Sequence, residues 1–283
     1  MKIISTELPQ RHYGLVRAAS QVMDFNIWTP QTYPVYDVLD EVKPDIIFID
    51  LKQVNRLIIA ALNEYPHVKV VLFGQGVPRD MNPSILVASP TTSPTIRKNI
   101  EGENHATLYL RNSANIVDIF NGQYNPDYEC DIAYICNVIK PDTYEDQIVK
   151  LANLAKKYKI KVVGSTRIAI PQFLGSITYV ATADLYRSAS FSLDYYGDQQ
   201  LDIAANGGFA MPANLTLDEM YSILDDKRDG KKTSKAINAL QRSILYSDTC
   251  YHRLIEILDT LQLSDISLKA KQKLGDKISC VLE

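Results

Sequence analysis

The densest grouping of residues able to hold a ligand is Gly197-Asp-Gln-Gln-Leu-Asp-Ile-Ala-Ala-Asn-Gly-Gly208. Gln199 and Asp202 are three residues apart and share one face of a helix. A carboxylate so placed can accept both hydroxyls of a ribose. The backbone amides near Gly197, Asp198 and Gln199 would receive a diphosphate at the helix start. The same spacing also describes a solvated helix with an acid near its start and a Gly-Gly stop. Acid–base chemistry has fewer candidates. His12, in the loop Glu7–Gly14, can serve as a base, with Arg11 beside it to meet a phosphate. Asp80, in Gly74-Gln-Gly-Val-Pro-Arg-Asp80, and Asp50, at the end of an apolar run, are alternatives. The plain readings are a loop histidine and a turn aspartate. His67, His105 and His252 have no partner pattern and read as structural.

No metal is implied. There is no Asp-x-Asp pair, and Asp45 and Asp50 point to opposite faces of one strand. Cys130, Cys136, Cys250 and Cys280 form no CxxC pair, which reads as reduced thiols in a cytoplasmic protein. The net charge of −3 excludes a strong overall attraction to nucleic acid or an anionic membrane. The Lys156–Lys161 and Lys227–Lys235 patches read as solvated surface. No apolar run is long enough to span a bilayer, so no integral membrane association is expected. Seventeen tyrosines place some rings at exposed recognition surfaces.

These residues need a scaffold, and the periodicity supplies one: short β-branched runs alternate with helical stretches, as in parallel sheets covered by helices. The first half predicts strands at Lys2–Thr6, Phe25–Thr29, Asp45–Leu51, Val68–Phe73, Ile85–Ala88 and Ala106–Leu110. Asn121–Glu129 is polar, turn-rich and reads as a linker. The pattern then restarts, with strands at Asp131–Cys136, Ile160–Val163, Ser190–Tyr195 and Gly208–Met211. Long helices, Lys232–Leu261 and Ile266–Leu282, close the chain. The expected class is α/β: two Rossmann-like lobes, 1–125 and 126–283, facing a cleft, with a helical C-terminal tail. Ligands would bind beyond the carboxyl ends of the strands.

The motif around Asp202 resembles the nucleotide-sugar motif of GT-B-fold glycosyltransferases, especially the short spore-maturation-type and phage DNA glucosyltransferases. In that pattern an acid precedes a glycine by five residues, as Asp202 precedes Gly207. Asp131–Asn137, Ala183–Asp194 and Asp248–Arg253 resemble the family's lobe-opening strand, its helix-then-strand and its closing helix. The likeness covers about Asp131 to Leu258.

The resemblance implies a C-terminal lobe that binds a nucleotide-sugar donor and an N-terminal lobe on the acceptor side. It puts Asp202 on the ribose and the loop after the lobe-opening strand, with Asn137, near the phosphates; Gly164, ending the next strand, joins that site. Gln199 stands where the family has a phosphate-binding arginine, so Arg187, Arg167 or Lys140 would supply the charge. The family's aspartate base has no counterpart, because Gln75 or Gly76 occupies its place. The implied activity is glycosyl transfer to a hydroxyl on DNA (possible substrate, a hydroxymethylated base), a glycan or a protein. No permanently bound cofactor is implied. The alternatives are a nucleotide-sugar epimerase or hydrolase, or a non-catalytic binding protein.

Overall fold

The computed structural model describes residues 1–9, 12–100, 105–136, 144–194, 199–212, 214–226 and 233–282. The chain forms two compact units. The first comprises Met1–Ser113 with Cys250–Ser279, and the second comprises Ala114–Thr249 with Cys280–Glu283. The closing helices thus belong mainly to the first unit, and the division differs from the expected 1–125 and 126–283.

In the first unit six strands, β1 (Lys2–Ser5), β2 (Asp24–Ile27), β3 (Ile46–Asp50), β4 (Lys69–Phe73), β5 (Ile85–Ala88) and β6 (Ala106–Tyr109), form one sheet in the order β2-β1-β3-β4-β5-β6. Every pairing is parallel. All five residues of β3 are buried, as its uninterrupted apolar run predicts for a central strand covered on both faces. Helices α1 (Tyr13–Ser20), α2 (Val35–Asp37), α3 (Arg56–Glu64) and α4 (Pro94–Ile100) connect the strands. Asn55 caps α3, its Oδ1 accepting the amide of Ile58 at 3.0 Å. Helix α10 (Cys250–Thr260) packs on α1, and α11 (Ser264–Leu282) follows it.

In the second unit β7 (Cys130–Ile135), β8 (Ile160–Val163), β9 (Ala189–Asp194) and β10 (Ala210–Pro212) form a parallel sheet in the order β10-β9-β7-β8. Its residues split by the two-residue period of a strand. Ile132, Tyr134 and Cys136 enter one core, and Ala133 and Ile135 the other. Helices α5 (Tyr144–Leu154), α6 (Tyr179–Ser188), α7 (Gln200–Ala205), α8 (Leu217–Asp226) and α9 (Thr233–Ser247) complete the unit.

The predicted continuous helix Lys232–Leu261 is two helices. Asp248 and Thr249 interrupt it: the Asp248 carbonyl accepts the amide of Ala114 at 2.8 Å, and Thr249 bridges Ala114. Among the described residues, no helix is long and apolar enough to cross a membrane.

Candidate functional site

In a parallel sheet the crevice for a ligand opens where neighbouring connections leave in opposite directions. In the second sheet that point lies between β7 and β9. Beyond the carboxyl ends of β7 and β8, Cys136 and Gly164 cross in close backbone contact. The Cys136 amide donates to Val163 at 2.7 Å, and the Thr166 amide donates to the Cys136 carbonyl at 3.1 Å. Gly164 has φ +143, and a Cβ there would overlap the Cys136 carbonyl. Only glycine meets both conditions without strain. Asp194 ends β9; its side chain is buried, and its carboxylate accepts the backbone amide of Gln199 at 3.3 Å. Gln199, half-buried, leads into α7.

The first sheet reverses between β1 and β3. There the Asp50 amide donates to the Thr6 hydroxyl at 3.0 Å, and the Asp50 carboxylate caps the next turn through the amide of Lys52 at 2.9 Å. His12, buried at the start of α1, sets its ring 5.0 Å from that of Phe73 at the end of β4. Both switch points therefore offer polar groups held on rigid strand ends. Burial pushes the Cys130 thiol up to about 11 and the Cys136 thiol upward. Neither is suited to act as a thiolate nucleophile. Among the described residues, no three His, Cys, Asp or Glu side chains gather in a metal-binding group.

No protein-family model and no curated protein matches the chain. Solved structures do. HepE of Anabaena, in complex with UDP and glucose, aligns with a TM-score of 0.62 at 12% identity, covering 93% of this chain and 99% of HepE. HepE in complex with UDP-glucose gives 0.63 at 13% identity over the same shares. The UDP-GlcNAc 2-epimerase of Methanocaldococcus jannaschii, in complex with UDP-GlcNAc and UDP, gives 0.51 at 12% identity over 91% and 99%. The chain has a GT-B-like fold.

Within this GT-B-like fold the expected site residues separate. Gly164 and Gln199 lie at the carboxyl edge of the second sheet, and His12 at that of the first. Arg187 does not share that edge. It occupies the last turn of α6, which returns the chain to the amino end of β9. Its guanidinium fills the space beside Gly207, where a Cβ would stand. Asp80 is likewise at an amino edge. Its backbone is left-handed (φ 67), and its carbonyl accepts Asn63 Nδ2 at 3.0 Å beside the end of α3. It is an exposed turn residue. Gly197, Asp198, Asn137, Lys140 and Arg11 lie outside the described residues.

Asp202 has another partner: its Oδ1 accepts the backbone amide of Asn115 at 2.6 Å. Three more side chains treat the following segment alike. Asn206 Oδ1 takes the amide of Gly122 at 3.2 Å, Asp184 that of Gln123 at 2.8 Å, and the Ser188 hydroxyl that of Asn125 at 2.8 Å. Gly122 lies so close to the Ala183 carbonyl that a Cβ would overlap it. The predicted linker is therefore fastened along α6 and α7, and just before it one of the two carboxylate oxygens of Asp202 accepts the Asn115 amide. The Gly-Gly stop is as predicted. Gly207 (φ +71) donates to Ala204 and Gly208 to Ile203, at 3.0 and 2.9 Å, the paired bonds of a left-handed helix end.

Sequence reasoning passed over Asp194 and Thr6. Each stands at or next to the carboxyl end of a predicted strand, and that position is the signal that marks them.

Proposed function

We propose that this chain is a glycosyltransferase that takes its sugar from a UDP-sugar. The observation that carries the reading is the switch point of the second sheet, where Gly164, Asp194 and Gln199 stand at the carboxyl ends of parallel strands. Parallel sheets take nucleotides at such a point, and the side-chain amide of Gln199 can donate to a diphosphate. The fold is shared with proteins solved with UDP, UDP-glucose and UDP-GlcNAc. Asn137, Lys140, Gly197 and Asp198 keep their place in the donor site by sequence position. Cysteines outside any disulfide, three of them buried, suit a cytoplasmic setting.

In the reaction the bond from the anomeric carbon to the diphosphate oxygen breaks. A bond to the acceptor oxygen forms, and the acceptor's proton passes to a base. We assign that base to His12, an imidazole held against Phe73 at the carboxyl edge of the first sheet. The acceptor class is decided by assay against hydroxymethylated DNA, glycans and proteins.

A thermal-shift series with UDP and UDP-sugars tests the reading. UDP is expected to raise the melting temperature, and no response to any nucleotide sugar would leave a non-catalytic protein. With an acceptor in hand, His12→Gln is expected to lower kcat by about 10²–10⁴-fold while UDP affinity stays unchanged. The likeness to the epimerase favours a second reading, a UDP-sugar epimerase or hydrolase. Isomerised or hydrolysed sugar formed without acceptor would select it.

A further inference from the structure

The amino edge of the first sheet, opposite the edge used above, holds a cavity of about 850 Å³. It lies where the last turn of α3 and Pro66 meet the amino ends of β4, β5 and β6. Its size falls within the roughly 300–1,000 Å³ of small-molecule sites. The proposed transfer reaction makes no use of it, because such folds bind nucleotide and substrate at carboxyl edges.

The wall has a definite chemistry. Asn63, Asn82, Ser84 and His105 bring hydrogen-bonding groups, while Leu62 and Met81 bring apolar surface. Among the described residues, no aspartate, glutamate, lysine or arginine lines it. Two of the polar groups are held by backbone: Asn63 Nδ2 donates to the Asp80 carbonyl at 3.0 Å, and Ser84 Oγ accepts the Val70 amide at 3.2 Å. Each keeps further hydrogen-bonding capacity, an amide oxygen and a hydroxyl proton. The left-handed turn at Asp80, closed by the Met81 amide on the Pro78 carbonyl at 3.2 Å, delivers Met81 and Asn82 into the wall.

His105 is the one titratable side chain among the described lining residues, so the wall holds no permanent cation to compensate a phosphate or carboxylate. The flank is acidic as well, since Glu64 and Asp40 hold the phenols of Tyr36 and Tyr65 there. Neutral amides and hydroxyls set among aliphatic groups match a molecule with hydroxyl edges and C–H faces. We infer that this cavity is a second binding site, taking a short neutral oligosaccharide.

Saturation-transfer NMR on the full chain tests it, with maltotriose, cellotriose and tri-N-acetylchitotriose as probes. At least one trisaccharide is expected to bind. Asn82→Trp, at an exposed position of the wall, is expected to weaken that binding at least about tenfold, with the melting temperature and the UDP response unchanged. If tryptophan lowers the melting temperature, Asn82→Ser is read by the same loss of binding. Absence of binding for all three at on the order of 10 mM overturns the proposal. So does binding that survives the substitutions. A missing UDP response beside intact trisaccharide binding counts against the transferase reading alone.

Discussion

The side chains that fasten residues 115–125 to the second unit are short and polar, and Asp184, Ser188, Asp202 and Asn206 each accept one backbone amide. Removing such an acceptor strands a partly buried donor, which costs about 1–3 kcal/mol. Asp202→Ala is therefore expected to lower stability by that amount, read as a shifted urea midpoint, while calorimetry finds UDP affinity within about twofold of wild type. A large loss of UDP affinity at unchanged stability would return Asp202 to the ribose. The acid-to-glycine spacing was legible in the sequence, and so was the helix stop. What the carboxylate binds was not, because its partner, Asn115, lies far away along the chain. Gly164 was legible only as the end of a strand; the need for glycine comes from Cys136, on the neighbouring strand.

At the scale of elements the pattern of apolar residues was sufficient for the sheets. All ten strands among the described residues lie within a residue or two of their predicted positions, and the central ones show plainly because a strand buried on both faces of a parallel sheet is a continuous apolar run. Helices were less legible. Helix α8 went unpredicted, although Thr216-Leu-Asp-Glu219 carries the signal of a reciprocal cap. The Thr216 amide and hydroxyl both donate to Glu219 Oε2, at 2.7 and 2.8 Å, and hold its carboxyl below the usual carboxylate range. An acid with a depressed pKa stabilises the fold above its unfolded value, and that contribution is lost as pH falls through the folded value. The urea midpoint of Glu219→Gln is thus expected to lie below wild type at neutral pH, and the difference to close below about pH 4. A gap that widens on acidification would contradict this. The break at Asp248 and Thr249 left no mark in the periodicity, since it depends on pairing with Ala114.

At the scale of the whole molecule, the first unit is assembled from two separated stretches of chain. Helix α10 buries Tyr251, Leu254, Ile257 and Leu258, spaced as one helical face, and packs on α1, which buries Leu15, Val16, Ala18 and Ala19. Each large aliphatic side chain buried contributes roughly 1.5–3 kcal/mol, so losing this helix removes an amount comparable to a domain's whole margin of about 5–15 kcal/mol. A fragment of residues 1–113 is expected to show no cooperative unfolding by circular dichroism. The same fragment joined to residues 250–279 by a Gly/Ser linker is expected to recover it. A stable, cooperatively unfolding 1–113 fragment would refute this account of the unit.

This discontinuity also predicts an order of events on the ribosome. The second unit is almost one continuous stretch, so it can close as soon as it leaves the exit tunnel. The first unit emerges earlier but must wait, with the apolar face of α1 uncovered, until α10 has been made. Folding domain by domain from the N-terminus, the usual course during synthesis, is expected to be reversed here, with the first-made segment the one whose apolar surface waits longest for its cover.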